Sequence, residues 1–280
     1  MDVSVIFVNY NTCKLTLDSI ASVYKHTHKL NFEIIVVDND SVDDSVQEIK
    51  KQFPDCILLE NKKNIGFGQA NNKGMEIAKG KYYFLLNTDT YLLNNAIELF
   101  FDFMEKQENS DVAVVGGHLY KANMDWSVSS GHFPNFKLFV KGSFWKHFYK
   151  NEFYESEVLT PVDLDITIPY QVDYVSGANY FVRSEIIKRV GGFDKSFFMY
   201  FEETELTLRI IRTIENAKVF VLPQANIVHI GQASSLKSIK SLKFKLLFLK
   251  SKAIHFKIHN GYHAGFMVYT KGLISIFFKR

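Results

Sequence analysis

Through the first 120 residues, short apolar runs alternate with segments whose apolar residues recur at helical spacing. The runs VSVIFVN (3–9), EIIVVD (33–38), CILL (56–59), YYFLLN (82–87) and VAVVG (112–116) are rich in β-branched and aromatic residues and end in polar clusters, so they predict strands. Between the first two, Leu17, Ile20, Ala21 and Tyr24 share one helical face, and Val46, Ile49 and Phe53 do so after the second. Ser41 or Asp43 is placed to cap that second helix. This βαβ rhythm predicts an α/β fold, with a mostly parallel sheet covered by helices.

Residues 120–170 break the rhythm. Their stretch SSGHFPNFKLFVKGSFWKHFYKNEFY is aromatic and basic without clean periodicity, which marks a long excursion from the scaffold. Order returns with QVDYVSGANYFV (171–182), a strand pair or one long bent strand. Ser184 then suits the N-cap of SEIIKRV, with Gly191 and Gly192 ending that helix. A further helix over about 203–214 carries Leu206, Ile210 and Ile214 on one face, with Arg209 nearby. Short strands KVFVL (218–222) and NIVHI (226–230) follow, and from Ser235 the pattern is helical, basic and rich in phenylalanine.

Composition sharpens this picture in three places. In 280 residues of which 47% are hydrophobic there is ample material for a core. Cys13 and Cys56 stand far apart without CxxC spacing, which argues against a zinc knuckle or disulfide framework and suits a reducing cytoplasm. The start MDVSVIFVNYN lacks a basic segment before an apolar one, and no apolar run reaches the roughly 18 residues that span a bilayer, so neither export nor membrane crossing is expected. The net charge of +3 hides a polarity: residues 216–280 hold eleven Lys and Arg and no Asp or Glu, leaving 22 basic against 30 acidic groups before them. Such a tail either packs on the domain with a solvated basic face or meets an anionic membrane surface. No nucleic-acid module accompanies it, so nucleic acid is not an expected partner.

The candidate chemistry gathers at strand ends, where open α/β sheets bind ligands. In YYFLLNTDTYLL, Asn87, Thr88, Asp89 and Thr90 interrupt an apolar run. An unpaired buried carboxylate is costly, so Asp89 is expected where the run leaves the core. Asp38 ends the second strand, and parallel strands would bring both acids to one edge; turn and capping roles are the alternative for each. NIGFGQANNKG (64–74) matches neither common phosphate-loop pattern, and its Gly66 and Gly68 predict a tight loop lying close to a ligand or strand, before a short helix after Gly74. Asn71, Asn72 and Lys73 could touch a phosphate from it. Glu202, Glu203 and Glu205 crowd a helix N-terminus, where the dipole favours them; they also emerge from the apolar FDKSFFMYF, which would raise their pKa values and suit a general base. His229 closes a short strand and, with Asp89, could hold Mn²⁺ or Mg²⁺ alongside substrate phosphates.

In order and spacing, VSVIFVNYN, VVDNDS, NIGFGQANNKG, LLNTDT, VSGANYFVRSEIIKRVGGFDKSFFMYFEETELTLR and the later His229 resemble family 2 glycosyltransferases, over residues 1 to about 235. The likeness is greatest to the rhamnosyltransferase-like branch of bacterial surface polysaccharide synthesis. The resemblance implies the GT-A fold: a single nucleotide-binding domain with a mixed central sheet, followed here by a basic amphipathic helical extension over 236–280. It implies inverting transfer from a nucleotide-sugar donor, dTDP-rhamnose or a UDP-sugar, to a glycan or lipid-linked oligosaccharide acceptor, by a cytoplasmic protein peripheral to the membrane. By motif, Asp38 matches the acid that contacts the nucleobase, with Asn39 beside it, and Asn9 to Asn11 line the nucleoside pocket. Gly66, Asn72, Asn87, Thr88, Gly177 and Ala178 fall on the donor side. Asp89 matches the last acid of a DxD motif and His229 a histidine completing the metal site. Glu203 takes the place of the catalytic base. Two positions depart from the pattern: Asn87 replaces the first acid of DxD, and Glu203 replaces an Asp, which leaves Glu202 or Glu205 as alternative bases. Those departures also admit a catalytically silent scaffold that docks a membrane complex. Within the 120–170 segment, Trp126, Trp145 and Tyr149 could stack on acceptor sugars or belong to the core.

Overall fold

The computed structural model describes residues 1–136, 158–159, 167–231 and 241–278. Strands β1 (Val3–Asn9), β2 (Phe32–Asp38), β3 (Ile57–Glu60) and β4 (Tyr82–Leu86) lie parallel in the order β3-β2-β1-β4. Their crossovers carry helices α1 (Cys13–His26), α2 (Ser45–Gln52) and α3 (Phe67–Ile77). After β5 (Thr90–Leu92), α4 (Ala96–Glu105) and β6 (Val112–Tyr120), three short strands, β7 (Ser130–Gly131), β8 (Val158–Leu159) and, after β9 (Tyr170–Gln171), β10 (Tyr174–Val175), form a small antiparallel sheet. Strand β11 (Asn179–Arg183) then inserts between β4 and β6, antiparallel to both. Helices α5 (Ser184–Val190) and α6 (Glu202–Thr213) lead to β12 (Lys218–His229), which runs parallel to β6 and antiparallel to β5 and β9. Two helices, α7 (Leu242–Asn260) and α8 (Tyr262–Phe278), follow. The central sheet is therefore mixed and flanked by helices, the α/β architecture expected.

The strands read as continuous apolar runs because both faces of the sheet are covered. Along β1, Val3, Val5 and Phe7 join Ile20 of α1 and Phe100 of α4 on one side, while Ile6 joins Met75 of α3 and Leu206 of α6 on the other. Tyr82, Phe84, Phe100 and Phe181 make a ladder of rings 5.0–5.9 Å apart that locks β11 to β4 and α4. Large apolar side chains in contact of this kind are the main favourable term in holding a sheet and its helices together.

Several elements differ from the pattern-based expectation. Residues 67–77, expected as a glycine loop with a helix only after Gly74, are already α3: Gly66 precedes it at φ 89°, a backbone state suited to glycine, and Gly74 lies against the sheet. A Cβ at Gly74 would stand 2.6 Å from Ile6 Cγ2, so the missing side chain is what lets α3 seat on β1. The two short strands expected over 218–222 and 226–230 are one strand, β12, with a register shift between Leu222 and Asn226 where Pro223 supplies no N–H to the ladder. The 171–182 stretch contributes to three short strands rather than one or two, because the chain turns at Ser176–Ala178. Helix α4, with Ile97, Phe100 and Met104 buried on one face, was not anticipated. The described part of the helical extension expected over 236–280 comprises two helices, α7 and α8, separated at Gly261 with φ 91°, in which Leu249, Ala253 and Phe256 of α7 pack on Ala264 and Val268 of α8. Among the described residues no helix is long and apolar enough to cross a membrane.

Replacing Gly74 by Val is expected to destabilise the fold by about 1–3 kcal/mol, since the branched side chain must displace buried Ile6. Urea unfolding checks it; an unchanged midpoint would mean that α3 is not held against β1 as described.

Candidate active site

The parallel arrangement of β1, β2, β4 and β12, and of β6 beside β12, brings their carboxyl ends to one edge of the sheet. Asn9 and Asp38 close β1 and β2 in register, and buried Asn9 Nδ2 donates to Asp38 Oδ1 at 2.7 Å and to Ser41 Oγ at 2.9 Å. Ser41 N–H donates to the other oxygen of Asp38 at 3.0 Å, so the carboxylate is oriented by two donors. Asn11 sits at φ 55°; its N–H donates to Ser41 Oγ and its side-chain oxygen accepts from Val42 N. Asn39 Oδ1 accepts from Asn61 Nδ2 and Ile65 N, and its Nδ2 donates to Asn64 Oδ1, which ties the β2 end to the loop before Gly66. These bonds make a polar cup lined by amides.

Next to this cup lies the turn between β4 and β5. Thr12 Oγ1 donates to Asn9 Oδ1 at 2.9 Å and lies 3.1 Å from Thr88 Oγ1, so Thr12 links the cup to the turn. Thr90 donates through its N–H and Oγ1 to Asn87 O, which closes the turn and exposes Asp89 to the strand opposite. That strand is β12: His229 pairs with Thr90, and Ile230 N–H donates to Asp89 O at 2.9 Å. The pairing sets His229 Nε2 3.2 Å from Asp89 Oδ1, with Asp89 nearly buried and His229 partly open. A carboxylate oxygen and an imidazole nitrogen side by side are a suitable partial donor set for Mn²⁺ or Mg²⁺. Among the described residues no group of three or more His, Cys, Asp or Glu is arranged to hold a metal, consistent with Asn87 standing where a second acid would be.

Glutamates from α6 reach the same edge. Asn87 N–H donates to Ala178 O at 3.1 Å, continuing the β4–β11 ladder into the turn before β11. Gly177 backs the Glu203 carboxyl group, where an added Cβ would lie 3.4 Å from Glu203 Cδ, and the N–H groups of Glu203, Gly177 and Thr204 act to lower the Glu203 pKa. Burial nevertheless raises the Glu203 pKa above its ordinary value, outweighing those donors. Glu202 is 4% exposed, with Oε2 unpartnered; burial and the neighbouring Glu203 charge push its pKa well up. Glu205 is 2% exposed and gripped by Arg209, whose Nε and Nη2 donate to its two oxygens at 2.9 Å each. The remaining donors of Arg209 hold the carbonyls of Val190, Gly191 and Gly192 at the end of α5. Of the three acids, only Glu203 is partly exposed and beside Gly177, while Glu205 serves as the counter-ion of a helix-joining arginine.

Tyr200 and Phe201, immediately before α6, both have positive φ, 72° and 68°. Helix α7 holds them there: Phe248 lies 5.8 Å from Tyr200 and 5.1 Å from Phe201, and Ser251 Oγ donates to Met199 O at 2.7 Å. From the other side Tyr180 OH meets Thr207 Oγ1 at 2.9 Å, and that hydroxyl donates to Glu203 O. Asn72 lies elsewhere, on the flank of α3, where its amide donates to Phe193 O and accepts from Phe193 N. Asn71 donates to Phe67 O, and Lys73 Nζ to Asn61 Oδ1 at 2.6 Å. Trp126 is 38% exposed and stacks on Tyr120 at 4.8 Å near the end of β6, over His118, whose pKa burial lowers to about 4. Trp145 and Tyr149 lie outside the described residues. Thr12 and Tyr180 were not singled out from sequence, although the hydroxyl directly after VNYN was an available signal for Thr12; Ser41, expected as a helix cap, instead bonds Asn9, Asn11 and Asp38, and Asp44 stands at the N-cap of α2.

The family model for glycosyl transferase family 2 matches residues 4–189, and the chain belongs to that family. An uncharacterized glycosyltransferase of Rickettsia typhi is 29% identical over 212 residues, 75% of this chain and 58% of the relative. The chain thus spans less than two thirds of that relative, and 62% of a second, from Methanocaldococcus jannaschii, that is 28% identical over 181 residues. Among solved structures, GalNAc-T7 with UDP, GalNAc and Mn²⁺ superposes with a TM-score of 0.62 at 16% identity, covering 98% of this chain and 57% of that one. These structures share the GT-A fold with this chain. The family match ends before α6, so Glu203 and His229 stand on the structure described above.

With Glu202 and Glu203 raised by burial, the folded chain binds more protons than the unfolded one between the ordinary glutamate pKa of about 4.5 and the raised values, so their contribution to stability falls as pH rises through that window. Replacing Glu202 by Gln removes one of these groups. Urea midpoints should improve relative to the native chain at pH 7 and lose that advantage below about pH 4.5. A pH-independent difference would show that Glu202 does not carry the shift.

Proposed function

We propose that the chain is an inverting glycosyltransferase that moves a sugar from a nucleotide-sugar donor to a hydroxyl of a glycan acceptor. One observation carries this reading: the Asp89–His229 pair and the Gly177–Glu203 pair meet at a single sheet edge, joined through the Asn87–Ala178 hydrogen bond. The cup built by Asn9, Asn11, Asp38 and Asn39 receives the base and ribose, with amide and carboxylate groups facing hydrogen-bonding edges. Thr88, Gly66 and the Gly177–Ala178 turn border the path from there toward Glu203.

Glu203 takes the proton from the acceptor hydroxyl as that oxygen forms its bond to the anomeric carbon. The bond from that carbon to the diphosphate breaks on the opposite face, its electron pair leaving with the nucleoside diphosphate, and configuration inverts. Burial raises the proton affinity of Glu203, which suits a general base, and Gly177 lies against its carboxyl group. Asp89 and His229 would hold a divalent cation, which supplies positive charge against the departing diphosphate. Because Asn87 is neutral, such an ion would depend on donor phosphates for further oxygens. In a step of this kind most of the acceleration comes from positioning and charge stabilisation.

For the finer assignments, the branch resemblance favours dTDP-rhamnose, with UDP-sugars as the competing donors. A cytoplasmic protein at the membrane surface, extending a lipid-linked acceptor in bacterial surface polysaccharide synthesis, fits the basic tail. Trp126, beside Tyr120, is the described aromatic best placed to meet an acceptor sugar.

The first test is thermal shift and calorimetry against dTDP-rhamnose, UDP-glucose, UDP-galactose and UDP-N-acetylhexosamines, with and without Mn²⁺. One donor should stabilise the chain in a metal-dependent way, and Asp89→Asn should remove the metal dependence. A folded chain that no nucleotide or nucleotide sugar stabilises would instead be the silent scaffold. Glu203→Gln should lower transfer by about 10²–10⁴-fold while donor binding persists. The acid limb of the native rate profile should lie above the ordinary glutamate range. Full activity in Glu203→Gln would remove the base assignment.

A further inference from the structure

Helix α8 is apolar on both sides. Ala264, Val268 and Gly272 are buried, the first two against α7, whereas Tyr262, Phe266, Tyr269, Ile274, Phe277 and Phe278 are exposed, Phe266 by 62% and Phe277 by 57%. Of these, Tyr262, Phe266, Tyr269 and Phe277 fall on one side of the helix by helical spacing, so they form a stripe rather than scattered points. A helix that is hydrophobic all round is normally covered, and a patch of this kind marks a contact surface.

Charge indicates what covers it. Residues 216–280 hold eleven Lys and Arg and no Asp or Glu. On α7, exposed Lys243, Lys250 and Lys257 recur every seven residues, two helical turns apart, and so line one side of the helix. Lys257 Nζ lies 5.4 Å from the centroid of the Tyr262 ring, which joins this cationic line to the start of the apolar stripe. A second copy of the chain docked through the same patch would set cationic surface against cationic surface, because a two-fold contact pairs a patch with itself. An anionic bilayer complements both properties, its acyl boundary the aromatic stripe and its phosphates the lysines.

We propose that the α7–α8 hairpin is a membrane-contact element, with the outer face of α8 seated in the interfacial zone of an anionic bilayer and Lys243, Lys250 and Lys257 meeting lipid phosphates. It deepens the reading in which the acceptor is lipid-linked and rests on that reading for its purpose. Through Ser251 on Met199 and Phe248 on Phe201, the hairpin also holds the segment entering α6. A chain seated by α8 therefore presents Glu203 at a fixed height above the lipid.

The full chain is to be sedimented with phosphatidylcholine vesicles with and without phosphatidylglycerol, at low and high salt. The native chain should pellet with the anionic vesicles and lose binding as salt screens the lysines. Phe266→Glu with Phe277→Glu, both exposed positions, should abolish binding. The triple change Lys243→Gln, Lys250→Gln, Lys257→Gln should weaken binding to anionic vesicles about fivefold per lysine. Absence of native binding, or unchanged binding in the phenylalanine variant, overturns the proposal. A native dimer that does not bind vesicles and that the phenylalanine variant converts to monomer overturns it in favour of a second copy. Nucleotide-sugar binding, measured on the same samples, separates the two readings: lost vesicle binding with retained donor binding fails this proposal alone, and the reverse fails only the transferase reading.

Discussion

The site depends on one register, that of β11 against β4. Because the two strands are antiparallel, the carboxyl end of β4 meets the entry to β11, and the ladder that pairs Leu86 with Asn179 continues as the bond from Asn87 N–H to Ala178 O. The turn bearing Asp89 and the turn bearing Gly177 are thereby held together as backbone. Side chains follow from that: Gly177 supports Glu203, and Thr88 reaches Thr12 and so the Asn9–Asp38 pair. A slip of one residue would turn every side chain of β11 to the opposite face and bury polar groups in the aromatic ladder.

Around this junction the chain treats its carboxylates in two ways. Asp38 is oriented by two donors and Asp89 sits against the His229 imidazole. Glu203 rises from a shelf formed by Met199, Tyr200 and Phe201, where burial raises its proton affinity. That shelf is strained, since two successive residues with side chains occupy the left-handed region at a cost of about 1–3 kcal/mol each. Packing of Phe244, Phe248 and His255 of α7 on their rings offsets that cost. The C-terminal hairpin is thus structurally continuous with the proposed base, although it lies beyond the residues that match the family model.

Much of this organisation was legible in the pattern of residues. Apolar runs bounded by polar clusters located β1, β2 and β4, because strands buried on both faces need uninterrupted hydrophobicity, and the acids that follow those runs, Asp38 and Asp89, lie at the sheet edge, buried against polar partners. The glycines of residues 64–74 misled the reading of α3, since Gly74 serves a close helix-to-strand approach that spacing along the chain does not reveal. Likewise Asn72 looks like a loop residue in sequence, yet its amide bridges both backbone groups of Phe193. Glu205 and Arg209 are four residues apart on a helix, so their pairing could have been read in advance, and with it the reason that Glu205 is taken up.

Most of the elements, the family, and which polar residues stand at strand ends could be read from the sequence, because periodicity acts over a few residues, while α3, α4 and the continuity of β12 could not. Only the tertiary structure decided which of those residues meet. Asp89 and His229 are 140 positions apart and become neighbours through the antiparallel pairing of β5 with β12. Glu203 is distinguished from Glu202 and Glu205 by residual exposure and by Gly177, neither of which is encoded in three acids crowded on one helical turn. The tail shows the same division: its basic excess was plain, but only packing revealed that α7 sets Phe244, Phe248 and His255 against Tyr200 and Phe201 and that α8 leaves aromatic residues exposed. Long-range pairing sets these outcomes, since it is fixed by burying the whole sheet at once rather than by any local run of residues.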